Sequence, residues 1–185
     1  DGLTHPTGPT PGDQDAALQS PSAQPLSDGT KHDYQAITTP AQLEELVATL
    51  RQQDFFALDT ETIGLGRQAP LCGISLAWKP GHGVYIPLRS PDPSCHLSSA
   101  QVFPQLGPIL ADSSLGKCGH NLKYDALVLA HAGIPLRGIV FDSMIASHLL
   151  GESSHGLDHL SERLLHHRMI PISHLIGAET NDLFG

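Results

Sequence analysis

The chain has 185 residues, 39% hydrophobic and 16% charged, with Lys+Arg 10 against Asp+Glu 19 and a formal net charge of -9. This length fits one domain of ordinary size, and neither a secretory signal pattern nor a long apolar run is present, so we expect a cytoplasmic protein without a membrane span. The three cysteines, Cys72, Cys95 and Cys118, lack CxxC spacing, which argues against a disulfide framework and a zinc ribbon.

The first 35 residues differ in composition from the rest of the chain. They are rich in Pro, Gly, Ser, Thr and Asp and contain few aliphatic side chains that could be buried. Such a segment cannot offset the entropy cost of ordering. We therefore expect residues 1–35 to form a flexible linker and residues 36–185 to form the folded domain.

An amphipathic helix is predicted at the start of the folded part. Thr39 can cap it, Pro40 can occupy its first position, and apolar residues follow at helical spacing up to Leu50, so that the helix ends near Gln53. The apolar run at residues 55–58 is too short for a helix. It predicts a buried strand that leads directly into Asp59.

Strands and helices then alternate along the chain. Residues 71–78 and 83–88 are two strand-like runs separated by a Pro-Gly turn, which predicts an antiparallel meander. Further strands are predicted at 115–118 and 138–141, and further helices at 98–110, 121–132, 142–150 and 157–165. Pro104 and Pro108 interrupt the first of these helices. The pattern predicts an α/β fold, a mixed sheet covered by helices.

Three acidic residues are candidates for chemistry. Asp59 and Glu61 stand two apart at the end of a predicted strand, so both side chains point to the same face. They are either a solvated strand end or part of a site for a hard cation such as Mg²⁺ or Mn²⁺. Asp125 is the third candidate, although an acid early in a helix is also favourable for the helix dipole. Asp142 opens a later helix, where we favour a structural cap or a role in supporting the site.

The segments that contain these acids occur in a specific order. They read Phe-Ala-Leu-Asp-Thr-Glu at 56–61, Asn-Leu-Lys-Tyr-Asp at 121–125 and Pro-Leu-Arg-Gly-Ile-Val-Phe-Asp-Ser-Met at 135–144. In this order and spacing they resemble the 3′ to 5′ proofreading exonuclease domain of bacterial DNA polymerase I, over about residues 37–185. The resemblance implies an RNase H-like fold, with a mixed sheet of about five strands flanked by helices. Residues 1–35 would then be the linker after the family's 5′-nuclease domain.

The resemblance also implies a mechanism. In this family, carboxylates hold two divalent ions, Mg²⁺ or Mn²⁺, which promote hydrolysis of the terminal phosphodiester of single-stranded DNA. By position, Asp59 would bridge both ions, Glu61 would hold the first, and Asp125 would support the second through water. A local gain of positive charge from these ions would make the acidic net charge compatible with a nucleic-acid partner.

Five further positions match family contacts to the terminal nucleotides. They are Thr62, Leu65, His120, Asn121 and Tyr124. His120 stands where the family commonly has Gln. The implied partners are the 3′ end of single-stranded DNA and the polymerase domain of the same parent chain, with the domain acting as a monomer.

The third motif of the family is not found in this chain. That motif pairs a tyrosine with a final aspartate about four residues later, whereas no Tyr follows Tyr124 and Asp182 lacks the tyrosine upstream. We favour truncation before the motif over a degenerate domain. The chain as it stands is therefore expected to bind metal weakly and to hydrolyse DNA slowly or not at all.

Other functions compete with this interpretation. A ribonuclease D-like exonuclease acting on RNA would share the fold and the acids, and a catalytically silent structural module of a polymerase would share the fold. Twelve histidines, with His155 and His159 four apart, suggest zinc. Exposed helix histidines are the simpler explanation because no His-Glu-x-x-His motif occurs.

Overall fold

The computed structural model describes residues 33–64, 66 and 68–169. The elements in this part of the chain alternate between strands and helices. In chain order they are β1 (Asp33–Ala36), α1 (Pro40–Leu50), β2 (Phe55–Thr62), β3 (Leu71–Lys79), β4 (His82–Pro87), a 3-10 helix (Pro93–Cys95), α2 (Ser99–Ala111), β5 (Gly116–Gly119), α3 (Leu122–His131), β6 (Ile139–Asp142), α4 (Ser143–Leu149) and α5 (Leu157–Leu165).

The strands form one mixed sheet in the order β1-β4-β3-β2-β5-β6. Strands β2, β3 and β4 are antiparallel neighbours, whereas β1 pairs parallel with β4, β5 with β2, and β6 with β5. The predicted α/β class and the meander are confirmed. The sheet has six strands in the described residues, one more than expected.

The additional strand, β1, lies at an edge of the sheet. It starts at Asp33, inside the segment predicted as a linker, and its backbone pairs with that of β4 from Asp33 opposite His82 to Ala36 opposite Tyr85. All four of its side chains are exposed, so no apolar periodicity marks it as a strand. The rest of the predicted linker, residues 1–32, lies outside the described residues.

One face of the sheet forms the core with the helices. Phe56 and Leu58 of β2 are buried on this face, and Leu58 lies opposite Leu76 of β3. They belong to the same apolar cluster as Leu43 of α1 and Leu106 of α2. Because side chains alternate along a strand, Asp59 and Glu61 of β2 point to the other face.

That other face is lined by small residues near the centre of the sheet. Ala57 pairs with Ala77, and Asp59 pairs with Ser75. A cavity of about 940 Å³ lies over this face and extends to Phe141 and Leu157. Asp59 of β2 is among the residues that line this cavity.

Helix boundaries follow the local chemistry. Thr39 and Gln42 form the capping box of α1, and the helix ends at Leu50, three residues earlier than predicted. Helix α2 continues through Pro104 and Pro108 because buried side chains such as Leu106 and Leu110 hold its inner face. Helix α5 has the predicted bounds.

The three cysteines are free thiols. Among the residues described, none of the helices has the length and apolar character that a bilayer crossing requires.

Candidate active site

Asp59 and Glu61 lie near the end of β2, which occupies a central position in the sheet. Both are exposed, and they alternate with Thr60, which is buried. The register with β3 shifts between Glu61 and Thr62. Such an irregularity bends a strand and redirects the side chains beside it. The two carboxylates line one cavity near the end of β2, consistent with the prediction that they share a face.

Asp125 reaches the same cavity from α3. It lies in the first turn of this helix and is only 2% exposed. Its Oδ1 accepts a hydrogen bond from the backbone N–H of Thr60 at 2.8 Å and another from the Thr60 hydroxyl at 2.7 Å. Asp125 is therefore hydrogen-bonded to Thr60, the residue between Asp59 and Glu61.

Burial and the neighbouring carboxylates disfavour the ionised form of Asp59. Partial desolvation, followed by the negative charges of Asp125 and Glu61, raises the pKa of Asp59 to about 6, although its side chain reaches solvent. Burial also raises the pKa of Asp125, and the two bonds from Thr60 only partly oppose this shift. A bound cation would relieve this repulsion, because it favours the charged form of each carboxylate.

No three His, Cys, Asp or Glu side chains within residues 33–64 and 68–169 are gathered closely enough to form a ready-made cation site. The chemistry of the donors nevertheless suits a hard divalent ion, since carboxylate oxygens are the ligands that Mg²⁺ and Mn²⁺ prefer. Desolvation, and after it the negative charges of Asp125 and Glu61, raise the pKa of Asp59, and a cation would offset both effects. Asp59, Glu61 and Asp125 are the residues that fit it.

The acids share a cavity of about 820 Å³ with most of the residues predicted to contact a nucleotide. Its lining includes Thr62, His120, Asn121 and Tyr124, and also Met144, which the sequence did not suggest. The predicted contact residue Leu65 lies outside the described residues. One cavity thus contains seven of the eight predicted site residues.

Hydrogen bonds order the two sides of this cavity. The Thr62 hydroxyl donates to the carbonyl of Gly64 at 2.9 Å, so the Tyr124 hydroxyl, 3.0 Å from it, is the donor in their contact. The Ser143 hydroxyl donates to the carbonyl of Gly119, so the Nδ1–H of His120 donates to Ser143 at 2.9 Å. His120 is therefore held by a residue that sequence analysis did not single out.

Asp142 joins the starts of two helices. Its carboxylate caps α4 by accepting hydrogen bonds from the N–H groups of Met144 and Ile145. It also accepts those of Asn121 and Leu122 at the start of α3, at 3.1 and 2.7 Å. Burial opposes its ionisation, but these four backbone N–H groups outweigh burial and lower the pKa of Asp142. The predicted role as a cap is confirmed and extends to a second helix.

Asn121 needs this outside support. It precedes α3 in the left-handed conformation with φ 64°, and its own side chain makes no capping bond. The first N–H groups of a helix have no partner within the helix and need one from outside it. The Asp142 carboxylate supplies that partner, and Asn121, Tyr124 and Asp125 are thereby held at the cavity.

Two of the described histidines in the C-terminal part contact each other. His155 hydrogen-bonds through Nδ1 to the Ser147 hydroxyl at 2.9 Å, and its ring stacks on that of His148 with the centroids 3.4 Å apart. His159 follows on α5. His166 and His167 are exposed, and His174 lies outside the described residues.

Comparison with known proteins identifies relatives over most of the chain. The family model described as 3′-5′ exonuclease matches residues 34–182. DNA polymerase I of Pseudomonas aeruginosa is 32% identical over 161 residues, which are 82% of this chain and 17% of the relative. DNA polymerase I of Synechocystis sp. is 43% identical over 137 residues, 70% of this chain and 14% of the relative. The chain thus spans about a sixth of the length of these relatives.

Solved structures share the fold. NrnC of Brucella melitensis with bound Mg²⁺ matches with a TM-score of 0.58 and 24% identity, over 83% of this chain and 66% of that one. Pol1 of M. smegmatis, in complex with DNA primer-template and dNTP, matches with 0.61 and 23%, over 74% of this chain and 23% of that one. RNase D of Trypanosoma brucei, in complex with RNA U12, matches with 0.64 and 14%, over 80% and 52%. These likenesses confirm the RNase H-like fold.

Proposed function

Since the chain belongs to the 3′-5′ exonuclease domain family of DNA polymerase I, we propose that it is the proofreading module of such a polymerase, which removes nucleotides from the 3′ end of single-stranded DNA with the help of divalent cations. In this proposal the module acts as a monomer and is attached to the polymerase domain of the same parent chain. The observation that supports it is that Asp59, Glu61 and Asp125 line one cavity near the end of β2.

In this proposal the three carboxylates hold Mg²⁺ or Mn²⁺. Asp59 and Glu61, which lie on one strand, would hold the ions, and the buried Asp125 would support the site from α3. Two divalent ions at such a site supply an activated water and charge stabilisation for the leaving 3′-oxygen. The contribution of the protein is to fix these acids on rigid elements, so that the terminal phosphodiester meets them in a constant geometry.

The remaining cavity residues suit the end of a single strand. The hydroxyl of Tyr124 and the side chain of Asn121 present polar groups beside the acids. The 940 Å³ cavity adjoins the acids, because both cavities are lined by Asp59 and His120. Contacts of this kind to sugar, phosphate and base faces do not depend on base identity, as a proofreading enzyme requires.

The 185-residue chain by itself is proposed to be weak or inactive. A fourth carboxylate and a water-orienting tyrosine complete the site in the resembling enzymes, and no Tyr follows Tyr124 here. The three acids would then bind cations without a full set of ligands. We expect hydrolysis to appear once the third motif is supplied.

Release of nucleotides from a 5′-labelled single-stranded DNA with Mg²⁺ tests the proposal. The comparison includes this chain, a longer chain that extends through the third motif, and the longer chain with Asp59→Ala. Activity confined to the longer, unsubstituted chain would support a proofreading exonuclease. If all three are inactive under conditions where the longer chain is folded, the domain is a structural module instead.

The same assay separates DNA from RNA as the substrate. The likeness to RNase D is one of fold, so RNA remains the alternative substrate to be tested. An RNA oligonucleotide of equal sequence provides the comparison. Faster release from RNA than from DNA would overturn the proposed substrate in favour of a ribonuclease D-like activity.

A further inference from the structure

Thr60 occupies an unusual place for a polar residue. It stands between Asp59 and Glu61 on β2, but its side chain points to the core face, where it is 7% exposed. Its neighbour across the sheet is Ile74, which is fully buried. Apolar side chains occupy the other buried positions of this strand, Phe56 and Leu58. A hydroxyl at such a position requires a hydrogen-bond partner.

The partner of Thr60 is Asp125. The backbone N–H and the hydroxyl of Thr60 both donate to the same oxygen, Oδ1, at 2.8 and 2.7 Å. Two donors converging on one oxygen fix the torsion angles of the carboxylate, and so they also fix the direction of Oδ2. The backbone donor would persist with any residue except proline. The hydroxyl is thus the contribution that is specific to threonine.

We propose that Thr60 is a positioning residue for the nuclease reaction, whose hydroxyl holds the Asp125 carboxylate in the orientation that supports a divalent cation. This inference rests on the proposed function of Asp59, Glu61 and Asp125 as cation ligands. The middle residue of the Asp-Thr-Glu segment then has a function of its own besides setting the spacing of the two acids. Groups that hydrogen-bond to metal ligands commonly change metal affinity by about 10–100-fold when they are removed.

The test compares variants of the 185-residue chain at Thr60. Thr60→Val keeps the shape of the side chain and removes the hydroxyl, whereas Thr60→Ser keeps the hydroxyl and removes the methyl group. Thr49→Val is the matched control, because the Thr49 hydroxyl donates to the carbonyl of Glu45 on α1, away from the site. Thermal unfolding without metal shows whether each variant is folded.

The readout is the broadening of amide signals in nitrogen–proton NMR spectra during titration with Mn²⁺. Mn²⁺ broadens the signals of nearby amides, so the signals of residues 59–61 and 122–125, which lie in contact, together report binding at the site. We expect Thr60→Val to require about tenfold more Mn²⁺ for equal broadening at 122–125. Thr60→Ser and Thr49→Val are expected to match the unsubstituted chain.

The outcomes distinguish the inference from the function on which it rests. If the unsubstituted chain shows no saturable broadening near Asp59 and Asp125, the cation site itself is refuted and the inference with it. If that chain binds Mn²⁺ and Thr60→Val binds it equally well, or if Thr60→Ser loses as much affinity as Thr60→Val, only the positioning role is refuted. Should Thr60→Val not fold, Thr60→Ala replaces it in the same comparison.

Discussion

At Asp59 the folded protein disfavours the ionised carboxylate, which links stability to pH. Its pKa rises from 3.8 to about 6 on folding, so the folded state binds more protons than the unfolded state between these values. The contribution of Asp59 to stability is therefore present below about pH 4 and is lost as the pH rises through 6. When a cation binds beside Asp59, the ionised carboxylate becomes favourable in the folded state.

We expect Asp59→Asn to raise the melting temperature at pH 7.5 without metal, and this difference to disappear at pH 4. In saturating Mn²⁺ at pH 7.5 the unsubstituted chain should have the higher melting temperature. The variant lacks one carboxylate, so the bound ion stabilises it less. Thermal unfolding by circular dichroism measures both effects. Asp54→Asn is the control, since Asp54 is exposed and lies outside the cavity. An unchanged or lower melting temperature for Asp59→Asn at pH 7.5 would contradict the repulsion described above.

Lys117 is a charged residue with no exposed surface. Its Nζ donates to the carbonyls of Asp112 and Leu115, and it lies 5.5 Å from the centre of the Phe56 ring. Desolvation by burial lowers the pKa of Lys117. The ammonium group holds the turn between α2 and β5, and β5 in turn leads into the helix that carries Asp125.

Lys117→Met should lower the free energy of unfolding by about 1–3 kcal/mol, because the two carbonyls lose their charged donor while the apolar stem is kept. Urea unfolding measures the change. Lys123→Met, at an exposed position of α3, should leave the stability nearly unchanged. Equal stability of the two variants would show that water replaces the ammonium group at no cost.

The acidic residues of the candidate site could be predicted from the sequence, whereas the hydrogen bonds that they make could not. The common orientation of Asp59 and Glu61 could be predicted, because side chains alternate between the two faces of a strand. The bond from Thr60 to Asp125 joins residues 65 positions apart, and no local pattern contains such a distance. A detectable signal was present all the same: Thr60 is a polar residue at a core-facing position of an otherwise apolar strand.

Among the elements, α3 and α4 share one carboxylate. Asp142 accepts hydrogen bonds from N–H groups at the start of both helices. Each cap contributes about 0.5–2 kcal/mol in ordinary helices. The position of Asn121 and Asp125 at the cavity therefore depends on a residue of the neighbouring element.

Replacing this carboxylate should destabilise the domain more than a single cap would. We expect Asp142→Ala to lower the free energy of unfolding by about 1–4 kcal/mol, the sum of two caps, and to reduce the helical circular dichroism signal. Asp92→Ala removes the cap of the short 3-10 helix and should cost less. A smaller loss for Asp142→Ala than for Asp92→Ala would show that α3 does not depend on the shared carboxylate.

Element positions were predicted well where apolar periodicity is strong, as in α1 and α5. Strand β1 was missed because its four exposed side chains carry no apolar pattern, although its backbone pairs with β4. Helix α2 persists despite two internal prolines because four buried apolar residues fix it against the core. In both cases tertiary contacts outweigh the local signal.

At the scale of the whole molecule, apolar surface is concentrated at one end of the sheet. In β6 the exposed residues include Val140 and Phe141, at 66% and 53%, and in α4 they include Ile145 and Leu149, at 60% and 83%. Strand β6 is also an edge of the sheet. Contiguous apolar surface of this kind is uncommon on folded proteins that function alone.

We expect the 185-residue chain to bind the dye ANS while it is folded, and the single change Val140→Lys to weaken that binding without lowering the melting temperature. A lysine on an edge strand adds charge where no core contact is lost. Fluorescence titration at matched protein concentration measures the effect. Thr49→Lys, on α1, provides a charge-matched control. Undiminished fluorescence with Val140→Lys would locate the dye elsewhere.

The distance along the chain between the strand acids and Asp125 also affects the order of events when the protein is made. The β3–β4 hairpin joins residues close in sequence and can form early. The bond from Thr60 to Asp125 closes a loop of 65 residues, and the pairing of β2 with β5, from Phe55 opposite Gly116, has a similar range. Long loops close at a higher entropic cost and later in folding. A chain still emerging from the ribosome therefore contains Asp59 and Glu61 before Asp125 has been made, and the three acids meet only when the sheet is nearly complete.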